Sequence, residues 1–151
     1  MIRHAKFLST TVLFFILLFL WYSLIFFEIP LLTIDGHASL ISLYGILELL
    51  LVIILVGLLL DFKYIHFLGL IILGLWGYLQ FNGNWKFLFI ETSDERIQSY
   101  YQHFDNTLRI FPESDTTIIP DAYHTVLALL LFINIVLIIR LIIKKYIQPS
   151  S

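Results

Sequence analysis

The sequence lacks cysteine and is poor in charge. Its 151 residues include no Cys, and Asp, Glu, Lys and Arg together make up only 13%, against roughly a quarter in an average soluble domain. The absence of cysteine excludes disulfides, thiolate nucleophiles and cysteine-ligated zinc or iron–sulfur sites. The low charge argues against a soluble enzyme, a nucleic-acid-binding protein and a disordered regulator, because each of these exposes a more polar surface.

Hydrophobic residues are present in excess. They account for 60% of the chain, aromatic residues account for 17%, and the mean hydropathy is +0.93. A single domain of this size could not bury so much apolar surface in water. The apolar runs show no polar–apolar alternation of the kind found in barrel strands. The composition therefore predicts an integral membrane protein that is all-α, since helices satisfy their own backbone in lipid.

Four stretches are long and apolar enough to be predicted as membrane spans: residues 7–27, 40–60, 65–81 and 123–143. A helix of 21 residues is about 31 Å long, which matches the hydrocarbon core of a bilayer. The third stretch has only 17 residues, so we expect it to borrow length from its flanks. The predicted fold is a transmembrane four-helix bundle, in one domain over residues 1–151.

The basic residues predict the orientation of this bundle. Six of the nine fall on one side of the predicted membrane: Arg3, Lys6, Lys63, Arg140, Lys144 and Lys145. Because cytoplasmic segments carry the excess of Lys and Arg, we expect both termini to be cytoplasmic and the 82–122 connection to lie outside. No small-residue cleavage site follows the first stretch, which is expected to be a retained anchor. The compact chain without a glycosylation acceptor favours a bacterial plasma membrane.

The 82–122 connection is too long to be structureless, and we predict that it forms an outer cap. It starts with the turn signal Asn82-Gly83-Asn84. Ser93 then resembles a helix N-cap, and Pro112 ends the predicted amphipathic helix over residues 93–110. Its apolar stripe consists of Ile97, Tyr101, Phe104, Leu108 and Phe111. The cap is either a structural lid or a ligand-binding lid, and Asp121 is expected to cap the fourth span.

Glu48 is the most informative polar residue of the predicted spans. Its position, eight residues into the second span, predicts a deep location where a carboxyl group must be protonated, paired or in a polar cavity. Tyr44 lies one helical turn earlier on the same side. Asn134 is at the midpoint of the fourth span, so a Glu48–Asn134 hydrogen bond would satisfy both groups. The alternative is a role for Glu48 in binding a ligand, a proton or an ion.

Three glycines of the third span, Gly69, Gly74 and Gly77, predict close helix packing. Their spacing is not that of the stricter GxxxG motif, and the packing partner is either a helix of the same chain or a second copy.

The sequence contains no recognisable catalytic motif. It has no glycine-rich phosphate-binding loop, no GxSxG nucleophile motif and no HExxH or other close metal-ligand spacing. We therefore expect no enzymatic activity, no cofactor and no metal site.

Three functional hypotheses remain open. The first is a non-enzymatic membrane subunit that senses, anchors or scaffolds, as an oligomer or with a partner protein. The second is a small proton or cation channel or transporter in which Glu48 is the functional group and the acidic outer face concentrates cations. The third is a protein that binds a lipid or another hydrophobic small molecule among its aromatic residues. All three have the lipid bilayer as partner, and none involves nucleic acid.

Overall fold

The computed structural model describes residues 2–27, 29–32, 39 and 41–148 of the chain, with side chains from residue 8 onward. Within these ranges the protein is all-helical and contains no strand. It has five α-helices: α1 (Ile2–Ser23), α2 (Leu43–Leu59), α3 (Ile65–Gln80), α4 (Asp94–His103) and α5 (Ala122–Ile142). The all-α prediction is confirmed for this part of the chain.

Three helical segments are long and apolar enough to cross a membrane: Leu8–Phe26, Ile65–Leu88 and Ala122–Ile147. They correspond to the first, third and fourth predicted spans. The third borrows length from its flank as expected, because α3 continues through a wide π-helical turn (Phe81–Trp85) and a 3₁₀ turn (Lys86–Leu88). The predicted turn at Asn82-Gly83-Asn84 is therefore wrong. The Asn82 side chain donates to the Tyr78 carbonyl oxygen at 2.9 Å and stays within the helix.

The second predicted span is shorter than the sequence indicated. Helix α2 has 17 residues, or about 25 Å, which is less than the hydrocarbon core of roughly 30 Å. It starts at Leu43 because Ser42 is its N-cap: the Ser42 Oγ accepts from the Tyr44 amide at 3.2 Å. It ends before Asp61, whose φ of 51° reverses the chain into α3. Residue 40, the predicted start, is outside the described residues.

The four apolar helices pack in a closed order, in which α1 contacts α2 and α5, and α3 contacts the same two helices. They share one hydrophobic core, whose fully buried members include Phe15, Leu18, Leu51, Ile54, Leu58, Leu73 and Ile138. Large apolar side chains also cover the outside. Ile71 is 67% exposed and Phe132 is 66% exposed. A surface of this kind suits lipid rather than water.

The cap helix is shorter than predicted. Helix α4 begins after Ser93 as expected, although the Ser93 side chain makes no capping hydrogen bond. It ends at His103, so the prediction of a helix to residue 110 is wrong. The chain turns at Asp105-Asn106, residues that favour turns, and Thr107 Oγ1 donates to the Phe104 carbonyl oxygen at 2.9 Å. The predicted capping of α5 is confirmed, since the Asp121 carboxylate accepts from the His124 amide at 2.8 Å.

Candidate functional site

The Glu48 side chain contacts helix α1. Its Oε1 lies 2.5 Å from the Ser23 hydroxyl, which also lies 2.8 Å from the Phe19 carbonyl oxygen. A serine hydroxyl has only one proton for these two acceptors. A neutral Glu48 that donates to Ser23, while Ser23 donates to Phe19, satisfies both contacts. Glu48 Oε2 is buried, and no described residue is within hydrogen-bond distance of it.

The predicted hydrogen bond between Glu48 and Asn134 does not form. Asn134 is fully buried, and its Nδ2 donates to the carbonyl oxygens of Phe14 at 3.0 Å and Leu130 at 2.8 Å. Phe14 and Ser23 are nine residues apart on α1, which corresponds to about 13 Å along the helix axis. Glu48 and Asn134 thus contact α1 at different depths. Asn134 joins α5 to α1, while Glu48 joins α2 to α1 nearer the C-terminal end of α1.

Aromatic residues from all four apolar helices surround this end of α1. The Tyr22 hydroxyl donates to the Tyr44 carbonyl oxygen at 3.1 Å, and the Tyr123 hydroxyl donates to the Tyr22 carbonyl oxygen at 3.2 Å. The Tyr22 ring packs edge-on against Trp76 at 4.8 Å. Trp21 stacks on Tyr123 at 5.9 Å and donates to the Tyr123 carbonyl oxygen at 3.1 Å. We call these five residues the aromatic girdle, and it holds the helix ends together around Glu48.

Tyr44 is the predicted site residue that takes part mainly through its backbone. Its side chain is 50% exposed, and its carbonyl oxygen accepts from Tyr22. The sequence analysis did not identify Ser23 as a site residue, and it considered Tyr22 only among the aromatic residues that could bind a lipid or another hydrophobic molecule. Ser23 could have been noticed as a hydroxyl residue at the end of an apolar span. Its contact with Glu48 could not be predicted in this way, because the contact depends on how α1 and α2 pack.

The three predicted packing glycines have different environments. A Cβ on Gly69 would lie 3.3 Å from Ile138 and from Ile54, so this glycine is where α3 packs against both α5 and α2. A Cβ on Gly77 would lie 3.7 Å from Ile135. A Cβ on Gly74 would meet nothing within 4 Å, so this glycine faces outward. A closer approach than at these three glycines occurs at Gly57, which the sequence analysis missed: a Cβ there would overlap the Ile65 side chain.

Tyr101 is the central residue of the outer cap. Its hydroxyl donates to the Thr117 carbonyl oxygen at 3.1 Å and accepts from the amides of Ser114 and Ile119 at 3.1 and 3.3 Å. The Arg109 guanidinium lies 4.5 Å above the Tyr101 ring. One phenol therefore holds helix α4 to the irregular segment that follows it.

The predicted apolar stripe of the cap is only partly correct. Ile97 is 5% exposed, and Phe104 packs against Tyr100 and His124 at ring distances of 4.5 and 5.5 Å. Leu108 and Phe111 are each 56% exposed and belong to the irregular segment, because the helix has already ended.

The cap is connected to the rest of the fold by backbone hydrogen bonds. The Leu108 amide donates to the Leu31 carbonyl oxygen at 2.6 Å, and the Leu108 carbonyl oxygen accepts from the Ala122 amide at 2.8 Å. The Ile118 amide donates to the Phe87 carbonyl oxygen at 3.2 Å. The first and third connections of the chain are therefore joined, and the joint leads directly into α5.

An open depression of about 330 Å³ lies between helix α4 and the segment that follows it, and its lining is acidic: Asp94, Ile97, Gln98, Tyr101, Glu113, Ser114 and Asp115. Arg109 neutralises part of this charge, since its Nε lies 3.0 Å from Glu113. Among the described residues, no group of three His, Asp or Glu side chains is placed to hold a metal ion.

A second polar cluster lies at the opposite end of the apolar helices. Lys145 Nζ lies 2.6 Å from the Asp61 carboxylate, and His66 Nε2 lies 3.7 Å from the same oxygen. The Tyr146 hydroxyl donates to the Lys63 carbonyl oxygen. The cluster ties the α2–α3 turn to the end of α5. The sequence analysis placed these residues at one membrane face but did not predict their contacts.

Comparison with family models, with curated proteins and with solved structures finds no match for this chain. The functional argument therefore depends on the geometry of the residues described above.

Proposed function

We propose that this chain is a non-enzymatic membrane protein that crosses the bilayer four times and acts as a sensing or scaffolding subunit, as an oligomer or with a partner protein. The helices α1, α2, α3 and α5 are its spans. Helix α2 is shorter than a full span, so crossing the bilayer requires its flanking residues as well, and its contacts with α1 and α3 place it in the same bundle. Both termini are cytoplasmic in this arrangement, and the cap lies outside.

The observation that carries the proposal is the connection of the cap to α5. Asp121 is 1% exposed and binds both the backbone amide and the imidazole of His124. The His124 ring packs against Phe104 of the cap. Helix α5 then runs to the Asp61–Lys145 contact at the other end. A change at the cap is therefore transmitted to the cytoplasmic end through one continuous helix, as a sensing subunit requires.

The absence of cysteine from the sequence allows a direct test of the orientation. In intact cells, a single cysteine placed at Asp115 of the cap is expected to react with a membrane-impermeant maleimide. A single cysteine placed at Lys63, in the α2–α3 turn, is expected to react only after permeabilisation. Both positions are exposed. Equal reaction of the two in intact cells would contradict the four-span orientation.

The partner or oligomer part of the proposal needs a separate measurement. Native mass spectrometry in mild detergent, together with affinity purification from membranes, is expected to recover a second copy or a stably bound protein. Recovery of monomer alone in both experiments would overturn the scaffolding role. This outcome leaves the membrane topology intact, because topology is measured by the labelling experiment.

A second candidate function is proton or cation transport, and the Glu48 geometry favours it. One carboxyl oxygen is bound by Ser23, while the other is buried with no partner among the described residues. An intramembrane carboxyl group with an unused oxygen is suited to exchange a proton or to bind a cation. Reconstituted vesicles would show a proton or cation flux that Glu48→Gln abolishes. Absence of flux in both proteins would exclude this candidate.

A further inference from the structure

Basic residues from separate parts of the chain meet at one end of the apolar helices. Lys63 belongs to the α2–α3 turn, and three others lie at the end of α5 and in the turn that continues it: Arg140, Lys144 and Lys145. The contact of Lys145 with Asp61 at 2.6 Å holds the two segments together. We call this end of the helices the basic end.

Helix α1 brings two further basic residues to the basic end. It runs antiparallel to α5, as two hydrogen bonds show: Asn134 to Phe14 and Tyr123 to Tyr22. Because both helices rise equally per residue, Arg3 and Lys6, in the first turns of α1, lie at about the level where α5 ends. Clusters of 4–8 Lys and Arg beside membrane helices are typical of sites for anionic lipid headgroups.

The charge of the basic end is scarcely compensated within the protein. Residues 1–6, 61–64 and 140–151 contain six basic side chains and one acidic side chain, Asp61, which is paired with Lys145. The 82–122 connection has the opposite balance, with three basic and seven acidic side chains. An anionic partner is therefore attracted to the basic end and repelled from the cap.

The surroundings of Lys63 place it at the level of the lipid headgroups. Phe62 is 56% exposed and Tyr64 is 66% exposed, and exposed aromatic side chains beside a span are typical of the membrane–water boundary. Lys63 itself is exposed, with its Nζ 5.2 Å from the centre of the Tyr64 ring. Arg140 is also exposed, and its long side chain extends from the end of α5 toward the same boundary.

We propose that the basic end binds anionic phospholipids, whose phosphate groups are held by Lys63 and Arg140. The inference rests on the membrane-spanning arrangement of the proposed function and adds the class of lipid that the protein recruits. In the proposed orientation these lipids belong to the cytoplasmic leaflet, whose surface carries the negative charge.

The proposal is tested by lipid selectivity in reconstituted vesicles of dioleoylphosphatidylcholine. Electron paramagnetic resonance compares the association of spin-labelled phosphatidylglycerol and spin-labelled phosphatidylcholine with the protein. The wild-type protein is expected to prefer phosphatidylglycerol by about fivefold or more, since each basic residue near the surface contributes about that factor. The preference is expected to fall in 1 M salt, which shortens the Debye length to about 3 Å. Equal association of both lipids with the wild-type protein at low salt would overturn the proposal.

Two double variants with the same change in net charge test the location. Lys63→Gln with Arg140→Gln is expected to lower the preference by about fivefold or more. Lys86→Gln with Arg96→Gln, in the 82–122 connection, is expected to leave it unchanged. Equal loss in both would mean that net charge alone decides the preference, and would contradict a site at the basic end.

Asp61→Asn gives a test that a misfolded protein cannot imitate. It removes the acidic side chain of the basic end and releases Lys145, so it is expected to raise the preference for phosphatidylglycerol, and a lowered preference would contradict the proposal. Displacement of the lipid by inorganic phosphate at constant ionic strength would identify a site for a soluble anion instead. A wild-type chain found in the soluble fraction would overturn the membrane arrangement as well, whereas a membrane-bound chain without lipid preference overturns only the lipid site.

Discussion

Ser23 Oγ lies 2.5 Å from Glu48 Oε1 and joins the end of α1 to the second turn of α2. This contact is the only hydrogen bond of the Glu48 side chain among the described residues. The α-helical part of α3 has 16 residues and α2 has 17. Because α3 continues through two further turns to Leu88, α2 is the shortest of the four apolar helical segments. It therefore depends most on contacts with its neighbours. The Ser23–Glu48 pair is therefore a structural link as well as the candidate site.

Replacement of Ser23 by alanine is expected to destabilise the protein by about 1–2 kcal/mol, because it leaves the Glu48 carboxyl group buried without a partner. Glu48→Gln is expected to cost less, since an amide also hydrogen-bonds to the serine. The measurement is unfolding in detergent micelles. Ser9→Ala, an exposed serine of the same helix, is the control, with a change below about 0.5 kcal/mol. Equal losses at Ser9 and Ser23 would contradict the role of the contact.

Tyr100 and Tyr101 are neighbours in α4 but are expected to respond to replacement by phenylalanine to different extents. Tyr101→Phe removes three hydrogen bonds of the cap and is expected to cost about 1–3 kcal/mol. The Tyr100 hydroxyl is buried, and the Asp121 backbone is its one polar neighbour among the described residues, so Tyr100→Phe is expected to cost less than Tyr101→Phe. Faster hydrogen exchange at the amides of Ser114 and Ile119 in Tyr101→Phe alone would support this difference, and equal exchange in both variants would contradict it.

Tyr100 also makes the stability of the cap sensitive to alkaline pH. Burial raises the pKa of the Tyr100 phenol, and the charge of Asp121 acts in the same direction. In the unfolded chain this phenol ionises near pH 10, whereas in the folded protein it ionises only at a higher pH. Its contribution to stability is therefore complete below about pH 10 and is lost as the pH rises further. Thermal unfolding between about pH 9 and pH 11 is expected to show a smaller loss of stability for Tyr100→Phe than for the wild-type protein. Parallel curves would exclude this contribution.

The apolar helices could be predicted because a helix that crosses a membrane is recognised from one uninterrupted run of apolar residues. Runs of apolar residues predict membrane-spanning helices by length and composition alone, and Pro120-Asp121 marks the start of α5 correctly. The turn predicted at Asn82-Gly83-Asn84 failed for a physical reason. Asparagine side chains also hydrogen-bond within a helix, as Asn82 does with Tyr78, so the residues that favour a turn were accommodated in a wider helical turn.

The partner of Glu48 could not be predicted from its position along the chain. The predicted depth assumed a helix that starts at residue 40, whereas α2 begins at Leu43 and places Glu48 in the second turn of the helix. Asn134 lies deeper, beside Phe14. Similarly, helix end signals did not reveal that α4 ends at His103, because the pairing of Leu108 with Leu31 is made between distant segments.

Gly57 is expected to tolerate substitution less well than Gly69, Gly74 or Gly77. The Cβ of an alanine there would lie 2.3 Å from Ile65 Cγ1 and 3.1 Å from Ile65 Cβ, so the α2–α3 contact must shift. Gly57→Ala is expected to cost about 1–3 kcal/mol in unfolding experiments. Gly74→Ala is expected to leave the stability of the monomer unchanged or to raise it, because the added Cβ meets no neighbour within the chain and alanine favours the helix. Restoration of stability in a Gly57→Ala, Ile65→Ala double variant would identify the clash as the cause, and its absence would contradict this explanation.

The position of Gly74 leads to a further prediction, which is that two copies of the protein associate through α3. It faces away from the core, and Ile71, one turn earlier on α3, is 67% exposed. An outward glycine in a membrane helix permits close approach of another helix, so we expect two copies to meet along this face of α3. In the cysteine-free protein, Ile71→Cys is expected to form disulfide-linked dimers in membranes. Leu129→Cys, on α5 and 57% exposed, is the control and is expected to remain monomeric. Equal cross-linking at both positions would indicate random collision in the membrane, and no cross-linking at Ile71 would exclude this face as the interface.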